Sequence, residues 1–529
     1  MAALAFALAF ATLPALAGDS APAEARGRIL LVLPFDNRTG QPSLEWVREA
    51  APEILSSRFR SAGFEPMSRT DRMYALDHLG LPEGFHPSRA SSLKLAETLD
   101  ADSIVVGSYI TDGTGIVAEA QVVDVNHLKM SEAVTAHGEM RELVSVFDTL
   151  AWKLTKQMDP GFSVAQETFV AAGSGLRLDA FEQYIRGITE PDQQERLRHL
   201  NQAVLLSPDF GPAWMALGRE DYLGQQYEKA ALAFAKVGRN DPDALEAGFY
   251  RGLALLFSGD YTNAEGAFAG VARVLPLAEV MNNQGVSLAR RGMDGVPLFR
   301  QAVGADPSAA DYHFNLAVSL KRKGNAAEAL TELAQCLRLR PNDTEAQAVQ
   351  RAWSGQASAK VLGADDEAEA KVDPLERIMR TFNAAAFHQA AQMLDQVDDS
   401  RLAALPAGDR AQKLAAQAGA YLDRGLLLEA ERLYLSAVAT DGRLPEAHAG
   451  LAEVRERTGD AEAARKEAHA ALKLKPQASA YLVLGRLDLA AGHLDEAGKE
   501  AGEALKLEPQ SRAALELRRQ VEAKAGQGR

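Results

Sequence analysis

Residues 211–242 run GPAWMALGREDYLGQQYEKAALAFAKVGRNDP. Trp214, Leu217 and Gly218 recur at helical spacing, Gly224 interrupts them, Ala230 and Phe234 resume the period, and Pro242 closes the stretch. Each position has a mechanical reason. Gly218 and Ala230 are small enough for two helices to approach closely, and Phe234 fills the space between layers. Gly224 suits the positive φ that ends a first helix. Pro242 lacks an N–H and stops the second.

The same offsets spread in both directions. Pro208 lies 34 residues before Pro242 (242 − 208) and Pro276 lies 34 beyond it (276 − 242). Pro307 follows a shortened step of 31 (307 − 276), and Pro341 restores 34 (341 − 307). Gly442, Pro476 and Pro509 form a second series at 34 (476 − 442) and 33 (509 − 476). Between them the small, glycine and large apolar positions repeat, as in Gly252, Gly259, Ala264 and Phe268, or Leu451, Ala452, Gly459, Ala464 and Ala468. A period of about 34 residues is the signature of a helix–turn–helix solenoid.

The pattern resembles the tetratricopeptide repeat (TPR) family from about Arg177 to Pro509. It departs from that family in three places. Only Trp214 supplies the first-helix tryptophan, Asp221 stands where a tyrosine is usual, and the unit before Pro307 is three residues short. The resemblance implies an all-α superhelical solenoid in two blocks, 177–354 and 411–509. An acidic linker over 355–373 (Asp365, Asp366, Glu367, Glu369, Asp373) is expected to join them. The apolar spacing of Phe382, Phe387, Ala390 and Leu394 suggests a degenerate helical hairpin over 374–409. A charged helix over 510–525 is expected to cap the array.

Before the repeats the texture changes. Ile29 to Leu33 is an apolar run of strand length, followed by the turn-rich Pro34–Gly40 and an amphipathic helix from about Leu44 to Ala62. Phe64–Met67 reads as a short strand, Ser88–Leu99 as a helix, and Ser103–Ile110 and Ile116–Val125 as strands about Gly113 and Gly115. A third strand over Lys129–Gly138 and a helix over Arg141–Met158 complete an α/β domain at 28–159. Its phrases Leu33-Pro34-Phe35-Asp36-Asn37, Ala101–Tyr109 and Gln121-Val122-Val123-Asp124 resemble the TolB amino-terminal-type domain and its CsgG-like and FlgO-like relatives. That resemblance implies a non-enzymatic domain of the bacterial envelope. The fold class expected for the chain is therefore multidomain, an α/β (α+β) domain followed by a TPR solenoid.

Composition narrows the function classes. A net charge of −15 repels phosphate backbones and anionic lipid heads, which disfavours nucleic-acid binding. The 47% hydrophobic content with only 6% aromatic suits an array whose close contacts use small side chains. Met1–Ala17 carries no charged side chain and ends Ala15-Leu16-Ala17, which reads as a signal peptide cleaved after Ala17, though without the usual basic n-region. The expected location is periplasmic or secreted. The single Cys336 reads as a small core residue, since sister units carry Ala437, Ala471 and Ala504 at that place.

No chemistry-bearing constellation emerges. The ten histidines include no H-E-x-x-H motif, Gly173-Ser174-Gly175 lacks a preceding strand, and Asp36, Asp112 and Asp124 are not at the spacing of a calcium loop. Neither a catalytic residue nor a cofactor or metal is therefore expected. In TPR proteins the first helices line a groove, and an asparagine at their sixth position often hydrogen-bonds the backbone of a bound peptide. The resemblance carries that role to Asn283 and Asn315. Arg290, Lys321 and Arg322 would add positive charge beside them, which suits an extended protein or peptide partner with acidic groups. The expected function is a protein-binding scaffold of the cell envelope. An accessory factor in envelope assembly or secretion, or an enzyme with a site hidden in the α/β domain, are the alternatives.

Overall fold

In the computed structural model the described residues are 29–82, 84, 88–171, 175–239, 241–354, 373–382 and 400–527. The expected signal peptide, residues 355–372 of the expected linker and residues 383–399 lie outside them. The chain divides into an amino-terminal unit ending at Phe162 and a second unit beginning at Ser163, with Leu143–Ser145 counted in the latter.

The amino-terminal unit is built on a mixed sheet in the order β3-β1-β4-β5-β6, with β2 beside β4 and β7 beside β5. The strands are β1 (Ile29–Val32), β2 (Asp36–Asn37), β3 (Glu65–Pro66), β4 (Ser103–Asp112), β5 (Gly115–Asp124), β6 (Lys129–Met130) and β7 (Val134–Glu139). β1 pairs in parallel with both β3 and β4. Leu30, Leu31 and Val32 are all buried, so both faces of this strand are covered, which explains its unbroken apolar run. β4, β5 and β7 form the antiparallel part.

The phrases that carry the TolB-type resemblance have structural roles. A Cβ on Gly107 would fall 2.3 Å from the Phe35 ring, so this strand position has no room for a side chain. The Tyr109 hydroxyl donates to the Leu44 carbonyl at 2.8 Å, and Asp102 accepts from the Ile29 N–H at 3.0 Å. Two local expectations are corrected, and one helix is added. The third strand is split into β6 and β7 at Ser131, whose N–H donates to the Val122 carbonyl while its hydroxyl, in place of its carbonyl, accepts from the Val122 N–H. Pro34–Gly40 contains β2. A helix, Arg69–His78, starts at a Ser68–Asp71 capping box.

The second unit consists of helical hairpins. Upstream they pair Leu178–Thr189 with Gln193–Leu206, Gly211–Leu223 with Tyr227–Phe234, Ala244–Ser258 with Tyr261–Ala272, Ala278–Arg290 with Val296–Ala305, and Ala310–Arg322 with Ala326–Leu339, followed by Thr344–Trp353. Downstream they pair Ala407–Asp423 with Leu427–Thr440, Pro445–Arg457 with Ala461–Leu474, and Ala478–Ala491 with Leu494–Leu507. Arg512–Gln527 closes the series, burying Ala514, Leu517 and Val521 against the last hairpin.

Second helices end at Leu206, Ala305, Leu339, Leu474 and Leu507, each two residues before its period-marking proline. The residue before a proline is pushed out of the α region, so the helix stops one step earlier. Gly259, Gly292, Gly324, Gly425, Gly459 and Gly492 all adopt left-handed φ between the helices of a hairpin. In the opening stretch the positive φ falls instead on Gln225, because the Gly224 N–H still bonds the Glu220 carbonyl at 2.9 Å and prolongs the helix. Seven residues before each left-handed position stands a small residue, Gly252 for example (259 − 7). A Cβ there would lie 2.6 Å from the Phe268 ring. At Gly218, Gly252 and Gly285 the close approach expected of these slots is therefore an aromatic ring seated on a bare backbone.

Residues 373–382 are extended, neither the end of a free linker nor the opening of a hairpin. The expected helical hairpin over 374–409 therefore does not begin at 374–382, where backbone groups are met by side chains of other helices; Phe387, Ala390 and Leu394 lie outside the described residues.

Candidate functional site

Nine residues before three successive left-handed glycines stand Tyr250 (259 − 9), Asn283 (292 − 9) and Asn315 (324 − 9). All three lie on first helices of neighbouring hairpins, so one register position becomes a row. Asn282, Asn283 and Asn315 are fully buried. A buried amide needs partners for both its donor and its acceptor.

Those partners come from residues 373–382. Asn315 donates from Nδ2 to the Arg377 carbonyl at 2.7 Å and accepts from the Arg377 N–H at 2.6 Å. Asn283 repeats the arrangement on Met379, donating at 2.7 Å and accepting at 2.9 Å. Asn282 adds a donor to the Arg377 carbonyl at 3.1 Å, and its own Oδ1 accepts from Asn315 at 2.8 Å. The Tyr250 hydroxyl is hydrogen-bonded to the Phe382 backbone. The segment thus offers alternate residues to successive repeats, as a β-strand would to a neighbour, and runs opposite to the repeat order.

Side chains fix the register. Arg322 pairs with the buried Glu376 carboxylate and with Asp373 at 3.1 Å, and donates to the Pro374 carbonyl at 2.8 Å. Arg290 donates to the Glu376 carbonyl at 3.1 Å. The next residue, Arg377, meets the opposite charge. Its guanidinium lies 3.7 Å from the Phe314 ring centroid and binds Asp311 at 2.8 Å, Asp343 at 2.7 Å and Glu345 at 2.7 Å. Ile378 and Phe382 pack on the core around Phe249 and Phe268, and Met379 packs with Met281 and Tyr312.

The electrostatics follow from this crossing of charges. Burial opposes the Arg377 cation, but the hydrogen bonds to Asp343, Asp311 and Glu345 more than offset it and hold the group protonated. The same hydrogen bond, with Arg377, is the main cause of the lowered Asp343 pKa. Asp311 is also lowered: burial pushes it up, and the bonds to Arg340 and Arg377 outweigh that push.

Of the residues expected from the sequence, Asn283, Asn315, Arg290 and Arg322 all contact the segment. Lys321 does not. Its ammonium lies over the Trp353 ring, 5.6 Å from the centroid. Sequence reasoning missed Asn282, Tyr250 and the carboxylates of Asp311, Asp343 and Glu345. The register rule would have found Tyr250, since it applies to every unit. The carboxylates sit on three-dimensional neighbours and give no local signal.

The bland readings of other residues fit their surroundings. His313 and His448 occupy one slot in two repeats, each with Nδ1 on a glutamate, Glu332 at 2.6 Å and Glu467 at 2.7 Å. Such repetition marks a hairpin brace. Burial pushes the Cys336 thiol up to about 11, so it stays a neutral core group. Among the described residues no group of three or more His, Cys, Asp or Glu is placed to hold a metal ion, and no helix is long and apolar enough to cross a membrane.

No curated protein matches this sequence significantly. Among solved structures, similarity is found to YrrB, a TPR protein with an unusual peptide-binding site, at 20% identity over 33% of this chain and 92% of that one, with a TM-score of 0.31. The first TPR of Spaghetti (RPAP3) bound to the HSP90 peptide SRMEEVD is 24% identical over 22% and 93%, TM-score 0.21. The LpoB C-terminal domain from Escherichia coli is 20% identical over 23% and 88%, TM-score 0.20. The tetratricopeptide repeat family model matches residues 289–344, the stretch that holds Arg290, Asn315 and Arg322, so the chain carries a tetratricopeptide repeat there.

Proposed function

We propose that this chain is a non-enzymatic, exported scaffold of the bacterial cell envelope, with a TolB-type amino-terminal domain and TPR hairpins in two blocks. Its first helices hold an extended protein segment through Asn283 and Asn315, with Arg290 and Arg322 beside them. The observation that carries this reading is the two-point bonding of each asparagine to one residue's N–H and carbonyl. Such bonds recognise an extended backbone of any sequence, which is what a peptide groove requires. Buried amides also need a polar occupant, since stripping one of its partners costs about 1–3 kcal/mol.

The binding claim is tested on the full chain with residues 374–382 replaced by glycine and serine. Labelled extended peptides should bind it saturably by fluorescence anisotropy. Binding should vanish in the same protein carrying Asn283→Ala and Asn315→Ala. Absence of saturable binding by every peptide would overturn the scaffold reading. Export is tested separately, by fusing residues 1–30 to an alkaline phosphatase that is active only outside the cytoplasm.

A further inference from the structure

The groove is occupied by the chain itself, and the manner of occupation describes what else would fit. We infer that residues 374–382 are an intramolecular ligand, and that the partner which displaces them carries a glutamate followed directly by an arginine in an extended segment. This rests on the peptide-binding reading above and names its ligand class.

Charge order is the first support. Adjacent residues of opposite sign, Glu376 and Arg377, are received by opposite sets: Arg322 on one side, and Asp311, Asp343 and Glu345 on the other. The asparagines engage alternate residues, so they limit the backbone to steps of two. A slip of one residue would set the glutamate among three carboxylates, where like charges repel. Backbone bonds supply hold and the charge pair supplies selection.

The second support is the receiving side alone. Arg340 already binds Asp311 at 2.8 Å and approaches Asp343 at 3.7 Å, yet the three carboxylates beside the Phe314 ring take a second cation, and a planar guanidinium fits both them and the ring face. A strut that merely filled space would have no use for this arrangement, because an apolar occupant would take away the cation nearest Asp343 and Glu345. Polar contacts of this kind also exchange with water and with competing ligands at little net cost.

The third support is tethering. Occupation by a segment of the same chain is intramolecular, so a partner must bind against an effective concentration rather than against water. A partner therefore competes only if its own segment matches the site well, and self-occupation acts as a threshold against poor matches.

The probe is a fluorescein-labelled peptide of sequence DPLERIMRTF, copied from residues 373–382. It should bind the chain with residues 374–382 replaced by glycine and serine at least ~10-fold more tightly than the unaltered chain. Should the replaced chain fail to fold, Arg377→Pro with Met379→Pro, which removes both N–H groups donated to the asparagines, serves as the released form. Changing the arginine after glutamate to alanine in the probe should weaken binding at least ~10-fold, and exchanging the order of the two residues should weaken it further. Equal binding of probes with the pair exchanged would overturn the Glu-Arg selection while leaving the groove a general peptide site. Equal affinity for intact and released chains would overturn self-occupation. Failure of every probe on the released chain would instead overturn the scaffold reading.

Discussion

The hairpins upstream and downstream of residues 373–382 share one construction and differ at one register position. Nine residues before the left-handed glycine, the upstream units place Tyr250, Asn283 and Asn315, while the downstream units place Ala416 (425 − 9), Gly450 (459 − 9) and Val483 (492 − 9). At Gly450 the Tyr434 ring comes to 2.0 Å from where a Cβ would sit, so a side chain there is excluded altogether. Stacking needs only the small slots and left-handed turns that both sets possess. Peptide capture needs amides in addition. The comparison separates residues that build a repeat from residues that employ it.

The largest effect should come from removing the amides. Asn283→Ala with Asn315→Ala deletes four hydrogen bonds to the segment, two on Arg377 and two on Met379. At about 1 kcal/mol each, docking should weaken by roughly 4 kcal/mol. Tryptic cleavage after Arg377 and Arg380 should accelerate accordingly. The matched downstream change, Val483→Ala, should lower the melting temperature and leave that cleavage rate alone. Equal acceleration by both would erase the distinction.

Overpacking tests the shared construction. Gly252→Ala drives a methyl into the Phe268 ring and Gly485→Ala, at the matching downstream slot (492 − 7), drives one into the Leu517 side chain, and each should destabilise by about 1–3 kcal/mol. Thermal melts should resemble each other. Only Gly252→Ala should also loosen the segment, because Phe268 lies in the cluster on which Phe382 packs.

The two regions should respond to pH with opposite signs. Upstream, Asp343 and Asp311 have folded pKa values below the ordinary carboxylate value. Their contribution is complete above about pH 4 and is lost as pH falls through the depressed values, so acid should release the segment. Downstream, burial together with the neighbouring Asp488 carboxylate pushes Glu500 up to about 7. Protonation favours the folded form there, so stability of the last hairpin should fall as pH rises from about 4.5 to 7. Glu500→Gln should flatten the downstream slope in a pH series of melts, with the upstream acid release unchanged.

The smallest effect belongs to Lys321→Ala. Its ammonium stacks over Trp353 and touches no part of the segment, so docking should change by less than about 0.5 kcal/mol. A loss as large as that of Arg322→Ala would return Lys321 to the groove.

Much of this was legible in the sequence because it is local and repeated. Five of the period-marking prolines stand two residues past a helix end, whereas Tyr227–Phe234 ends eight residues before Pro242 and Tyr261–Ala272 four before Pro276, against the expectation for both. With the turn glycines recurring at one offset, hairpins from Leu178 onward could still be counted. Asn283 and Asn315 were found by the same register. Arg377 was not, because its partners lie far away in sequence: Asp343 and Glu345 open one helix, and Asp311 joins them only when another helix packs beside it. Residues 374–382 were expected to open a helical hairpin, yet the backbone bonds of Arg377, Met379 and Phe382 go to Asn315, Asn283 and Tyr250. Periodicity reports where side chains would fall in a helix and is silent on whether an outside partner takes the backbone.

Hydrogen exchange at the Arg377 and Met379 amides tests the central claim most directly, since each N–H is donated to one asparagine. Both amides should be protected in the unaltered chain and exchange at the rate of free peptide when Asn283 and Asn315 are alanine. Free-peptide exchange in the unaltered chain, or protection that survives the double substitution, would contradict it.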